Sequence, residues 1–390
     1  MTRRSLWSRF ALAATFLVVL AVAPSVTAGE RIVAIGDIHG NYDGFVSILQ
    51  RAGLVDQDTH WIGGETTLVQ TGDIFDRGLG VFKVLDLLMR LEGEAAAAGG
   101  QVIVLLGNHE GMNLIGFFRD VNPEIYATLV DKKSEKRRKA AYKDFKKYWR
   151  ARAEAILGTE VTVVPDEIEE QWMAAVPPGW LEYKEALSPE GTYGAWLRKR
   201  PVAVLINGVL FVHGGIGPDL AGLSVEEINA EVVTELATYD RLRQMMIDER
   251  LVPSTAELAS LTNVYLEMDP PDPAYAELAD AENWFIVSED GPLWFRGAAT
   301  WDEETETEQM VGLLAGVGAQ RMVCGHTPQL EGHIEVRFGG RVFLIDTGML
   351  SSFYEGGRSS ALVIESGSFT AIYTDGSAEE LVDEALPEAA

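Results

Sequence analysis

One cysteine, Cys324, is all the sulfhydryl chemistry the 390-residue sequence carries. A disulfide needs two, so a disulfide-stapled scaffold is excluded, and so is a structural zinc site built on cysteine sulfur. Positive charge is scarce as well: 32 Lys and Arg face 59 Asp and Glu, a formal charge of −27. A polyanion gains nothing by meeting another, which argues against nucleic acid as a partner. Long apolar runs are missing. The one near the N-terminus, "FALAATFLVVLAV", stops after 13 residues, short of the roughly 17–25 that a spanning helix takes. Arg3, Arg4 and Arg9 precede or flank it, and Pro24 and Val26-Thr27-Ala28 come after it. This is the layout of a secretory signal peptide over residues 1–28, cleaved after Ala28. The mature chain is therefore expected in the periplasm or secreted, with no stable membrane span.

What is present suits a packed protein: 47% of residues are apolar and 23% charged, enough for one large domain with insertions, or for two domains. Three units repeat one theme, an apolar strand, a polar Gly-containing corner, then a helical pattern. Their strands and corners are "RIVAIGDIHG", "TTLVQTGDIFDRG" and "QVIVLLGNHEG". Asp37 to Asp73 is 36 residues and Asp73 to Asn108 is 35, the length of a strand-helix-strand unit with a parallel crossover. In such sheets ligands collect beyond the carboxyl ends of the strands, so the polar corners are expected along one edge.

The rhythm breaks over about 117–200, which reads as a helical cap insertion. Within it, residues 131–152 hold 11 basic and 3 acidic side chains: either a solvated helix face or a positive rim for an anionic substrate. The main sheet is expected to resume at "PVAVLINGVLFVHGG", whose Asn207-Gly208 signals a tight hairpin. A second helical insertion covers about 218–290, with Ser224 and Glu227 as a capping box. "AQRMVCGHTP" and "RVFLIDTG" rebuild the sheet, closing an α/β domain over 29–376, and the acidic tail 377–390 is expected to be disordered.

The chain owns six histidines, and His39, His109, His213 and His326 all stand in Gly-flanked corners directly after apolar strands. Packing alone would scatter them; His60 and His333 read as such ordinary residues. Mixed Asp, His and Asn donors suit manganese, iron or zinc. Asp37 and His39 could hold one divalent ion, Asn108, His213 and His326 a second, with Asp73 shared. Two ions about 3.5–4 Å apart acidify a bridging water and clamp an in-line displacement at phosphorus. At a strand end successive side chains diverge, so His109 is free to act as general acid, oriented by Asp76. Arg77 offers a planar fork for phosphate oxygens. Cys324 reads as a buried, small apolar side chain.

The ordered set "GDIHG", "GDIFDRG", "GNHE", "HGG" resembles the phosphoprotein phosphatase family of the calcineurin-like metallophosphoesterases. The spacing before "HGG", the export signal and "GPLWFRG" resemble its bacterial Shewanella-like protein phosphatase branch. The likeness runs from about Arg31 to Glu365 and implies a central β-sandwich flanked by helices. It also implies metal ligands at Asp37, His39, Asp73, Asn108, His213 and His326, an acid and its orienting carboxylate at His109 and Asp76, and phosphate arginines at Arg77 and, in "GPLWFRG", Arg296. The activity implied is hydrolysis of phosphomonoesters, on phosphoproteins (phosphotyrosine or phosphoserine/threonine) or small phosphoesters, by direct attack of a metal-bridging hydroxide. Related bacterial-type members favour phosphotyrosine, for which Trp294 and Phe295 offer rings to stack. "IDTGMLSSFYEGG" does not match the segment around the active-site tyrosine of the eukaryotic serine/threonine members. The alternative on the same site is a nucleotide or dinucleoside polyphosphate hydrolase.

Overall fold

A computed structural model describes residues 31–382. The signal peptide expected over residues 1–28 and the end of the acidic tail lie outside the described residues. β1 (Arg31–Ile35), β2 (Thr67–Gln70) and β3 (Gln101–Val104) pair in parallel, joined by crossovers through α1 (Tyr42–Arg51) and α2 (Val81–Ala97). A short helix, α3 (Asn108–Leu114), comes directly after β3. The segment beyond it is helical: α4 (Glu124–Thr128), α5 (Ser134–Leu157), α6 (Asp166–Ala175), α7 (Trp180–Ala186) and α8 (Thr192–Leu197).

β4 (Ala203–Ile206) and β5 (Val209–Val212) form the hairpin, with positive φ at both Asn207 and Gly208, as a twist-matched two-residue turn requires. The second insertion supplies α9 (Val225–Asp248), capped by Ser224 and Glu227, and α10 (Leu258–Leu266). The chain continues through α11 (Gly297–Thr300), α12 (Glu303–Gly316), β6 (Arg321–Cys324), β7 (Glu335–Arg337), β8 (Val342–Leu344), β9 (Ser360–Glu365), β10 (Ser368–Tyr373) and β11 (Ala378–Val382).

β4 to β8 do not resume the first sheet, which only β9, β10 and β11 rejoin. One sheet has the order β11-β10-β9-β1-β2-β3 and a second has β4-β5-β6-β8-β7. The two face each other. Ile32, Ala34, Val69, Ile103, Leu362 and Phe369 of the first meet Phe211, Val323 and Phe343 of the second, and the Phe343 and Phe369 rings stack at 4.6 Å. The alternate residues Val33, Ile35, Leu68 and Val104 pack with Phe45 and Ile48 of α1 and Leu85 and Leu88 of α2. Strands buried on both faces read as continuous apolar runs, so their sequence carries no mark of which sheet each joins.

The tail is ordered further than expected. β11 pairs antiparallel with β10, although Glu379 and Glu380 are exposed. An edge strand is held by its backbone ladder and needs no apolar side chains on its open face. The basic run became α5. Arg137 pairs with Glu182, Arg138 donates to the carbonyls of Met173 and Val176, and Arg152 pairs with Glu267. Lys136, Lys139 and Lys143 are exposed, the arrangement of a solvated face. Among the described residues no helix is long and apolar enough to cross a membrane.

Candidate metal centre and active site

The parallel strands of both sheets deliver their corners to one place. Residues 36–39 extend from β1, 72–77 from β2 and 107–110 from β3, while His213 lies just past β5 and His326 just past β6. Ile38 and His39 both donate backbone N–H to the Asp73 carbonyl at 2.9 Å, and Gly40 donates to Ile74, so the first two corners are strapped together. The third is pressed in closer still. A Cβ on Gly72 would lie 2.5 Å from the Gly107 nitrogen, and one on Gly107 would lie 2.3 Å from Asp73 Oδ1; only glycine fits either position.

Backbone strain concentrates here. Ten non-glycine residues among those described have positive φ, and five are His39, Asp73, Asp76, Arg77 and His326. Each such residue costs about 1–3 kcal/mol, which marks a structure held for placement rather than stability. Glu110, buried, does much of the holding. Its carboxylate accepts backbone N–H from Gly107 (2.7 Å), Asp73 (2.8 Å), Ile74 (2.8 Å) and Phe75 (3.1 Å). Sequence motifs named this glutamate without a role; its place three residues into a helix start is the signal that points to one. Glu110→Ala should cost about 3 kcal/mol or more in chemical denaturation, because it strands several buried donors, whereas Glu110→Gln should cost less.

Asn108 and His109 do diverge, but for a different reason from the strand alternation expected. They open helix α3, where successive side chains fan out around an axis. Asn108 Oδ1 lies 2.9 Å from His213 Nε2 and 2.9 Å from His326 Nδ1. His213 Nε2 is 3.3 Å from Asp73 Oδ1. Both rings have committed their other nitrogen: His213 donates Nδ1–H to the Thr71 carbonyl at 2.8 Å and His326 donates Nε2–H to that of Trp294 at 3.0 Å. Lone pairs from an amide oxygen, two imidazoles and a carboxylate thus meet with no proton between them, an arrangement that a cation fits.

The second cluster is similar. His39 donates Nδ1–H to the Phe75 carbonyl at 2.8 Å, leaving Nε2 3.8 Å from Asp37 Oδ2 and 3.7 Å from Asp73 Oδ2. Asp37 accepts from the His326 backbone N–H at 3.0 Å, which ties the two clusters into one pocket. Asp346, at the end of β8, adds a third buried carboxylate. Burial, with Asp346 and Asp73 nearby, pushes Asp37 well above the usual carboxylate range, and burial pushes Asp346 to about 6. Buried carboxylates that repel one another in this way suit divalent cations, and the oxygen and nitrogen donors suit borderline or hard ones.

His109 differs from the other three. His39, Asp73 and His109 are close enough to form a possible ligand group, as are Asp73, His213 and His326. Yet His109 alone gives its ring N–H to a carboxylate, Nδ1 to Asp76 Oδ2 at 2.6 Å. Burial alone would lower its pKa, but the Asp73 and Asp76 carboxylates outweigh it and the net shift is upward. Burial takes His39 down to about 3 and His326 to about 2, the neutral state a ligand needs. A protonated imidazole is an acid, not a ligand.

Arg77 reaches into the same space. Its guanidinium contacts His39 Nε2 and the Tyr354 hydroxyl, and Nη2 lies 3.2 Å from His109 Nε2. Tyr354, 277 residues away in sequence, was not expected there; burial raises its pKa, so it stays a hydroxyl donor. Phe353 beside it is 60% exposed, its ring centroid 4.9 Å from the Arg77 guanidinium carbon. Arg296 stands at the rim: it is exposed and Nη1 donates to the His326 carbonyl (3.1 Å) and to Thr327 Oγ1 (3.0 Å). Phe295 is buried against Trp301, and Trp294 is held by Nε1–H to the Ile286 carbonyl at 3.0 Å. Cys324 is buried, and burial pushes its thiol up to about 12. Iodoacetamide should therefore leave the native protein unlabelled at pH 8 and label it fully in denaturant, as read by intact mass.

A family model described as calcineurin-like phosphoesterase matches residues 30–330. Shewanella-like protein phosphatase 1 of Plasmodium berghei is 27% identical over 322 residues, 82% of this chain and 67% of that protein. Shewanella-like protein phosphatase 2 of Arabidopsis thaliana is 31% identical over 219 residues, 52% of this chain and 51% of that protein. The crystal structure of a cold-active protein-tyrosine phosphatase from a psychrophilic Shewanella species aligns with a TM-score of 0.58 at 26% identity, covering 90% of this chain and 80% of that one.

Proposed function

Because the chain belongs to the calcineurin-like phosphoesterase family, and is therefore a phosphoester hydrolase, we propose that it is a two-metal phosphomonoesterase of phosphoproteins with a preference for phosphotyrosine. Asp37, His39 and Asp73 would hold one divalent ion, and Asp73, Asn108, His213 and His326 the other. Such a pair, when bound, acidifies a shared water and offsets charge on the phosphoryl oxygens of an in-line displacement. The chain's own residues do the rest. Arg77 orients the phosphoryl group through its planar fork. His109 passes its Nε2 proton to the leaving oxygen as the phosphorus–oxygen bond breaks, and Asp76 keeps the ring aimed and its charge balanced. The observation that carries this reading is that His109 alone of the four corner histidines commits its ring N–H to a carboxylate, the other three giving theirs to backbone carbonyls.

Phe353 favours an aryl substrate: an exposed ring lies against the arginine that takes the phosphate, and the stacking expected of Phe295 moves to it. The similarity to a protein-tyrosine phosphatase points the same way. Initial rates with a phosphotyrosine peptide, a phosphoserine peptide and diadenosine tetraphosphate, with manganese present, test the reading. kcat/KM should be about tenfold or more higher for phosphotyrosine than for phosphoserine, a margin one aromatic contact supplies. Faster turnover of the tetraphosphate would replace this reading with the nucleotide hydrolase. Export is part of the proposal, and a mature chain beginning at Gly29, read by mass spectrometry, is its expected mark.

A further inference from the structure

The His109–Asp76 pair is the inner part of a longer chain of buried groups. Asn113, one turn further along α3, donates from Nδ2 to Asp76 Oδ1 at 3.0 Å and to the His109 carbonyl at 2.8 Å. The Asn113 oxygen in turn accepts from the Tyr183 hydroxyl at 2.7 Å. Tyr183 belongs to α7, in the helical insertion, and is fully buried. Its ring is fixed on several sides: Phe118 and Tyr126 meet it edge-on at 5.3 Å, and Phe82 at 5.7 Å.

An amide has a donor end and an acceptor end, and only one orientation serves Asp76. With its NH2 toward the carboxylate, Asn113 gives Asp76 the donor it needs beside His109. Turned over, it would set an oxygen against that carboxylate. Asp76 and the His109 carbonyl only accept, so both call for the NH2 end of Asn113. In that orientation the amide oxygen faces away from Asp76, and the Tyr183 O–H satisfies it and holds the far end of the amide in place. Burial raises the Tyr183 pKa well above its ordinary value, so the hydroxyl keeps its proton.

We propose that Tyr183 is a positioning residue for the phosphoester reaction: through Asn113 it locks the Asp76 carboxylate, and so the aim of His109 at the leaving oxygen. The insertion is then part of the proton-delivering apparatus and not a cover laid over it. This rests on the reading of His109 as general acid.

The test uses the metal-loaded full chain and two substrates that differ in how much they need an acid, phenyl phosphate and p-nitrophenyl phosphate. Y183F removes one oxygen atom and leaves the ring packing in place. Its kcat for phenyl phosphate should fall about tenfold, within the range for losing a residue that orients a site group. The fall for p-nitrophenyl phosphate should be several times smaller, with KM and bound metal unchanged. In a D76N background Y183F should add almost nothing, because its effect passes through the missing carboxylate. Equal losses on both substrates, or the same loss with and without Asp76, would show a merely structural tyrosine and overturn the inference. If Y183F does not fold, by circular dichroism and melting, N113S measured in the same way decides between the same outcomes. A wild-type chain that hydrolyses neither ester would instead overturn the functional reading itself.

Discussion

His109→Ala is expected to lower kcat for a phosphotyrosine peptide and for phenyl phosphate by about 10²–10⁴-fold, the usual worth of a positioned general acid, and to lower p-nitrophenyl phosphate turnover far less. A p-nitrophenolate leaves well without a proton, whereas a phenolate or alkoxide does not. The pH profile adds a second readout. The net upward shift of His109, set by Asp73 and Asp76 against the effect of burial, places its pKa above the ordinary 6.5. An acid must be protonated to act, so wild-type kcat should hold through that pH and fall as pH rises through the folded value. The variant should lose this alkaline limb. Equal losses on both esters, together with lower bound metal, would move His109 into the ligand group it could form with His39 and Asp73.

The largest effect is expected at the carboxylate common to both donor groups. Asp73→Asn should leave fewer than two divalent ions per chain by elemental analysis and reduce activity by about 10³-fold or more, since in the proposed mechanism both the nucleophile and the electrostatic clamp depend on the pair. Chelation should do the same to wild type, with activity returning on addition of manganese. Asp73 sits well below the usual carboxylate range: burial opposes ionisation, but His213 and His109 overcome it. Removing the ions should also lower the melting temperature, because ligands that bind only the folded state stabilise it and the buried carboxylates Asp37, Asp73 and Asp346 would be left facing one another. Retention of two ions and near-normal turnover by Asp73→Asn would remove the shared-ligand assignment.

Much of this pocket was legible in the chain because its donor types are written into short corners. "GDIHG", "GDIFDRG" and "GNHE" each place a strand end, a glycine and the donors within a few residues. A strand end, a tight turn and a ligand are all set by neighbours in the sequence, so periodicity and residue type suffice to find them. The hairpin at Asn207-Gly208 and the parallel pairing of β1, β2 and β3 were legible for the same reason.

What depended on distant neighbours was not. An apolar strand buried on both faces looks alike in either sheet, so the division into two layers came from packing such as Phe343 on Phe369. The pairing of β11 rests on backbone hydrogen bonds, which its acidic side chains do not announce. Tyr183 meets Asn113 across 70 residues and Tyr354 meets Arg77 across 277, and nothing near either tyrosine marks it. Residue type and local spacing are enough to assemble the donors of a candidate metal pocket. The partners that orient those donors are chosen by which side chains the folded core brings within hydrogen-bond reach, a property of three-dimensional packing that no local pattern encodes.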